Sequence, residues 1–243
     1  MQGWLRSHGL SARDLAAAQG GWHGHGVVPH ANIPPGVPPG FAHIPLHFGP
    51  SAQAALVEAV VAGLGQAPLF RPAMPRTGAP LSVMMSNFGP LGWVTDREGG
   101  YRYQAHHPVT GAPWPPLPDR LLALWRKVTD WPDLPECCLI NWYGKGAKMG
   151  AHVDRDEYDL RAPVVSVSLG DPAMFRMGRL ARGGPTTGLK LHSGDVVVMA
   201  GEARQCHHAV SRIYHGETAL LPEGYFPGGG RLNLTMRVVG RPV

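Results

Sequence analysis

Charge is scarce in this chain: Asp, Glu, Lys and Arg make up only 16% of its 243 residues. No block of like charges runs along it, so it carries no polyelectrolyte tail. Cysteine is scarcer still. Of the three, Cys137 and Cys138 are adjacent and Cys206 is distant, which excludes a disulfide framework and offers no CxxC spacing for zinc. Such usage suits a reducing cytoplasm. The first residues, "MQGWLRSHGLSARDLAAAQGG", lack a continuous apolar core of the kind a secretion signal needs, and no later run approaches the ~20 apolar residues that span a bilayer. The chain therefore reads as soluble, cytoplasmic and without a membrane partner. Internal repeats are absent as well, and nothing in the sequence demands a second copy, so a monomer is expected.

What is present begins with a modest excess of base. Twenty-two Lys and Arg against seventeen Asp and Glu give a formal charge of +5, and the sequence pI is about 9.4. This favours a polyanionic partner, although the excess is dispersed over segments such as "RLARGG" and "WRKV". Residues 1–40, ending "HANIPPGVPPG", are rich in Gly, Pro and His and read as a loose arm with at most a short helix near "SARDLAAAQ". The histidines of "WHGHGVVPH" belong to that arm and read as solvated. One folded domain is expected over 41–243, with a recognition part at about 80–135 and a β-rich core at about 136–243.

Within the domain, "SAQAALVEAVVAGLGQ" carries Leu56, Val60 and Leu64 on one helical face with Ser51 ahead as a cap. "DRLLALWRKV" repeats the pattern with Leu121, Leu124, Trp125 and Val128. From Cys138 the period changes. "CLINWY", "PVVSVSLG", "AMFRMG", "GLKLH", "GDVVVMAG" and "RLNLTMRVV" are short β-rich runs separated by Gly and Pro, which predicts a mainly β sandwich or barrel with helices covering one face.

Against this apolar background "HVDRDE" stands out. In an extended strand residues two apart share a face, so His152 and Asp154 project together, with Asp156 next in the series. An imidazole and a carboxylate on one point make two thirds of the two-histidine, one-carboxylate set that suits non-haem Fe(II) and leaves positions open for substrate and oxygen. H-x-D tripeptides are common by chance, so a third ligand decides. "GDVVVMAGEARQCHHAVSRIYHG" offers His207, His208 and His215; His208 is preferred, although parity alone does not choose within the adjacent pair. In "RLNLTMRVV", Leu232, Leu234, Met236 and Val238 alternate with Arg231, Asn233, Thr235 and Arg237. The polar face could be merely solvated. Its two guanidinium groups nonetheless suit bidentate carboxylate recognition, and Asn141 and Tyr143 of "NWY" share a parity that could reach the same dicarboxylate.

These runs, together with "LSVMMSNFGPLGWVTDREGGYRYQAHHPVTGAPWPPLP" upstream, resemble the AlkB family of Fe(II)- and 2-oxoglutarate-dependent dioxygenases, and the likeness extends from about residue 41 onward. The resemblance implies a double-stranded β-helix, or jelly roll, with Fe(II) held by His152, Asp154 and His208. It puts 2-oxoglutarate against Asn141, Tyr143, Arg231, Asn233 and Arg237, with the arginines on its carboxylates. The implied reaction consumes 2-oxoglutarate and O2, yields succinate and carbon dioxide, and hydroxylates an N-alkyl group on a base such as 1-methyladenine or 3-methylcytosine. Formaldehyde then leaves from a methyl group. The implied partner is single-stranded or duplex DNA, with RNA also open. By the same resemblance Trp93 stacks on the flipped base, Asp156 meets its exocyclic amine, and Tyr101, Tyr103 and Arg182 line the nucleotide-binding surface. Three other readings compete: an RNA or small-molecule dealkylase on the same fold, a silent jelly-roll binding module, and a zinc hydrolase.

Overall fold

The structure, a computed structural model, describes residues 31–240; the helix expected near "SARDLAAAQ" and the histidines of "WHGHGVVPH" lie outside the described residues. In chain order the elements are β1 (Phe41–Ile44), α1 (Pro50–Leu64), β2 (Met84–Phe88), β3 (Gly92–Asp96), β4 (Gly100–Gln104), α2 (Asp119–Val128), β5 (Cys137–Tyr143), β6 (Met149–His152), β7 (Val164–Gly170), β8 (Ala173–Met177), β9 (Thr187–Leu191), β10 (Val196–Met199), α3 (Gly201–Arg204), β11 (His208–Ile213) and β12 (Arg231–Arg237). Backbone contacts with the domain begin before Phe41. Asn32 bridges His43, and Pro39 and Gly40 accept from Ala203 and Ala200.

The strands form a six-stranded sheet ordered β1-β10-β7-β12-β5-β2, a four-stranded sheet ordered β6-β11-β8-β9, and the separate hairpin β3–β4. All pairings are antiparallel. Two opposed antiparallel sheets with helices on one outer face make the expected jelly roll. On that outer face Leu56, Val57, Val60 and Leu64 of α1 and Leu121, Leu124, Trp125 and Val128 of α2 pack on Val165, Val167, Val198, Leu232, Leu234 and Met236. Each such fully buried side chain contributes about 1.5–3 kcal/mol. Between the sheets, Phe41, Met85, Tyr143, Val197 and Met199 meet Phe175, Met177, Leu191 and Val210. The polar row of β12 also points into this space.

One local reading changes. Helix α1 starts at Pro50 after Gly49, with no side-chain cap, so Ser51 is not the capping residue. Proline in the first turn supplies the start, because its fixed φ suits the helix and its missing N–H would have had no partner there. On β12 the bland alternative, a solvated polar face, is the one that falls, since all seven of its residues are buried.

Gly230 sets where β12 begins. Its φ is +98°, and a Cβ there would stand 2.3 Å from the Tyr143 carbonyl oxygen, so only glycine fits. Gly230→Ala is expected to cost about 2–4 kcal/mol through backbone strain and the clash. Urea melts check this as a lowered midpoint with unchanged slope.

Candidate active site

Two strands and the loop that follows one of them deliver the metal-ligand candidates. His152 closes β6, His208 opens β11 directly opposite it, and Asp154 follows two residues past the end of β6. Their ligand atoms lie within 4.8 Å of one another. His152 Nε2 is 3.7 Å from Asp154 Oδ1, and His208 Nε2 is 3.8 Å from Asp154 Oδ2. His152 Nδ1 lies 2.9 Å from the Gly150 carbonyl and His208 Nδ1 3.4 Å from that of Cys206. A carbonyl only accepts, so each Nδ1 is the donor and each Nε2 is the nitrogen turned toward Asp154. Burial, followed by the neighbouring His152, pushes His208 down to about 4, so its ring is neutral and ligand-competent at neutral pH. His207 turns away to the Arg179 carbonyl, and His215 sits near Asp171 elsewhere.

Asp154 is held as an anion. Burial would raise its pKa, but the Arg237 guanidinium, then His208, His152 and Arg204, hold it well below the usual carboxylate range. Arg237 Nη2 donates to Oδ1 at 2.8 Å, whereas the buried Oδ2 has no hydrogen-bond partner. A buried carboxylate whose two oxygens face two imidazole nitrogens, one of those oxygens without a partner, is a site built for a cation. The residues present therefore fit Fe(II).

The candidate cosubstrate residues lie on the β12–β5 pair. Asn233 is opposite Asn141 and Arg231 opposite Tyr143. Arg231 is 1% exposed. Its Nη2 donates to Ser168 Oγ and its guanidinium lies 5.3 Å from the Tyr143 ring centre, yet Nε and Nη1 have no partner. Among the described residues no carboxylate stands within ion-pairing distance of it. A buried cation without an anion is costly unless a ligand brings one, and a keto diacid brings two. Asn141 Oδ1 is likewise unpaired, while both ends of Asn233 are engaged, by Ser166, Val167 and Thr235. The two arginines are not equivalent. Arg237 already binds Asp154 and Glu157, leaving only Nε free.

Two residues unmarked by sequence reasoning complete the arrangement. Arg204 of α3, 2% exposed, donates to the Asp154 and Ala162 carbonyls at 2.7 and 3.1 Å and to Glu157 Oε2 at 2.8 Å. Glu157 also accepts from Arg237 and from the Tyr103 hydroxyl. The result is a buried chain, Arg204–Glu157–Arg237–Asp154, of alternating sign and zero net charge. It fixes the loop 153–162 that carries Asp154 and Asp156.

A cavity of about 540 Å³ opens over the three ligands. Trp93, Tyr101, Asp156, Arg155 and Arg182 line it, with Asn141, Tyr143, Arg231, Asn233 and Arg237 at its inner wall. Trp93 Nε1 donates to Asp156 Oδ2 at 2.7 Å, and the Trp93 and Tyr101 rings stack with centroids 5.8 Å apart. Tyr103 is not among the lining residues. Its hydroxyl turns behind Trp93 to Glu157 and Arg237, which makes it a support of the wall, in contrast to the exposed role expected of it. Arg155, between the two aspartates, had carried no functional signal in the sequence beyond its charge.

A two-histidine, one-carboxylate cluster at the mouth of a jelly roll, its Asp154 and His208 buried and an unpaired arginine beside it, has the make-up of an Fe(II) oxygenase that takes a 2-oxo diacid. Residues 40–237 match the description of the 2OG-Fe(II) oxygenase superfamily. An "Alpha-ketoglutarate-dependent dioxygenase AlkB homolog" of Caulobacter vibrioides is 50% identical over 203 residues, 83% of this chain and 88% of that protein. The "Alpha-ketoglutarate-dependent dioxygenase AlkB" of Escherichia coli is 43% identical over 176 residues, 71% of this chain and 78% of that one. The solved structure of OsALKBH1 superposes with a TM-score of 0.68 at 27% identity, covering 86% of this chain and 99% of that chain. The chain belongs to the AlkB family of Fe(II)- and 2-oxoglutarate-dependent dioxygenases. Its cofactors are Fe(II), 2-oxoglutarate and O2.

Proposed function

We propose that this dioxygenase removes alkyl groups from N-alkylated bases, 1-methyladenine and 3-methylcytosine among them, in single-stranded or duplex DNA and also in RNA. It does so as a cytoplasmic monomer. The observation that carries the reading is the Trp93–Asp156 pair at the cavity mouth, an aromatic face and a carboxylate joined by one hydrogen bond. An alkylated adenine or cytosine is flat and cationic, and such a pair offers it a stacking surface and a counter-charge. The lesion sits on the base-pairing edge, so a duplex base must swing out to reach the cavity, at lower cost when its pair is already damaged.

Each residue then has a task. His152, Asp154 and His208 hold Fe(II); Arg231 and Asn141 take 2-oxoglutarate; Arg237 keeps Asp154 ionised. Trp93 with Tyr101 fixes the base plane, and Asp156 meets the exocyclic amine. When bound, Fe(II) with 2-oxoglutarate would activate O2, one oxygen atom going to succinate and the other hydroxylating the alkyl carbon. The N-hydroxymethyl product loses formaldehyde and the base is restored. Residues at about 80–135, which include the β3–β4 hairpin, serve recognition, while those from about 136 supply the chemistry.

The test is anaerobic loading with Fe(II), then aerobic incubation with 2-oxoglutarate and an oligonucleotide carrying one 1-methyladenine. Loss of one methyl mass with matching succinate is the expected result. Succinate without base repair would move the substrate elsewhere. Trp93→Ala is expected to separate the two readouts: 2-oxoglutarate turnover persists while repair falls about a hundred-fold, because stacking worth about 1–3 kcal/mol is lost along with orientation.

A further inference from the structure

The cavity uses only the inner face of the four-stranded sheet, and its outer face is unexpectedly basic. Along β8 the buried Ala173, Phe175 and Met177 alternate with Met174 and the exposed Arg176. Lys190 of β9 and Arg212 of β11 are also exposed and both stand opposite Met174, on either side of it. Arg176 lies between Gly188 and Ala209, small neighbours that leave its guanidinium uncovered. Tyr214 sits beneath the other two cations, with Lys190 Nζ at 4.5 Å and Arg212 Cζ at 4.8 Å from its ring centre.

Acidic compensation here is slight. Glu217 pairs with Lys190 at 3.1 Å. Among the described residues neither Arg176 nor Arg212 has a carboxylate within ion-pairing distance. The base does not stop at the sheet edge either. Beyond β8 the chain continues through the exposed Arg179 to Arg182, which lines the cavity mouth.

We propose that the outer face of this sheet is a phosphate track, in which Arg176, Arg212 and Lys190, continued by Arg179 and Arg182, hold the backbone of a single strand whose target base occupies the cavity. The occupant follows from charge and continuity. A row of unpaired guanidinium groups leading to the mouth suits regularly spaced phosphates, and strand geometry puts neighbouring cations on this face about 7–8 Å apart. The track rests on the dealkylase reading for the base in the cavity, but its binding role is measurable without chemistry.

The experiment compares the wild type with Arg176→Ala/Arg212→Ala, both positions being exposed and outside the site. Fluorescence anisotropy with an undamaged 20-mer measures the track alone. Loss of two phosphate contacts is expected to weaken binding about ten-fold at low salt and to reduce the salt-dependence slope by about 1.4. Repair of a 1-methyladenine trinucleotide, too short to reach β8, is expected to be unchanged, while KM for a 20-mer carrying the lesion at one end rises. Unchanged 20-mer affinity and slope would overturn the track. A wild type that turns over 2-oxoglutarate but repairs neither oligonucleotide would overturn the dealkylase reading, and the anisotropy result would still decide the track.

Discussion

Asp154→Ala is expected to remove activity: succinate formation should fall by at least about a thousand-fold, equivalent to some 4 kcal/mol or more of barrier, and equilibrium dialysis should find Fe(II) binding lost. Two losses coincide in this variant. The carboxylate whose Oδ1 faces His152 and whose unpartnered Oδ2 faces His208 is gone, and Arg237 loses the partner it holds at 2.8 Å. Asp154→Asn separates them, because it keeps the volume near Arg237 but lacks the charge that the metal needs. It is expected to fold better than the alanine variant and to be equally inactive. His152→Ala is expected to match it, since its Nε2 is one of the two imidazole nitrogens on that carboxylate. Full 2-oxoglutarate turnover in either ligand variant would refute the site.

The second large effect falls on stability. Arg204→Met leaves Glu157 with Arg237 as its remaining cation and strips the Asp154 and Ala162 carbonyls of a donor, all in a buried setting. Breaking a buried pair in this way costs about 3–5 kcal/mol. Glu157 depends on both arginines: burial would raise its pKa, but Arg237 and then Arg204 hold it below the usual carboxylate range. Because a depressed carboxylate stabilises above its unfolded pKa and ceases to do so as pH falls through the folded value, the stability difference between wild type and Glu157→Gln is expected to shrink below about pH 4. Arg204→Lys keeps one charge but cannot serve three acceptors, so it is expected to fold, with a smaller loss, and to yield less repaired base per succinate as the Asp156 loop loosens. Unfolding free energies from urea melts within about 0.5 kcal/mol of wild type for all three variants would show that the chain of charges does not bear on stability.

The parts of the site that could be read in advance obey strand parity. On β12 the alternation of Leu232, Leu234 and Met236 with Arg231, Asn233 and Arg237 is local, so the polar row was visible, although a solvated face would look the same; only the second sheet buries it. His152 and Asp154 were grouped correctly for a reason that holds only halfway, since β6 ends at His152 and a loop delivers Asp154. Choosing His208 over His207 required knowing where β11 starts. Arg204 and Glu157 escaped notice because their pairing spans 47 residues, and a charge in "DRDE" or "GEAR" looks solvated until the loop folds over it. Short strands such as β1, four residues long, carry too little pattern to separate from loop. Tyr103 shared the parity of Tyr101, yet Glu157 draws its hydroxyl inward.

Arg231 sits 1% exposed at the inner wall of a cavity whose mouth is flanked by Trp93 and by Tyr101, itself 49% exposed. On the proposed function, with the diacid on Arg231 and the base at the mouth, the order of traffic follows from depth: 2-oxoglutarate would enter ahead of the nucleotide, and succinate, left on the same arginine, would depart after it. Repair along a long strand would then be non-processive at the level of the cosubstrate, each lesion requiring the strand to lift so that a fresh diacid can pass.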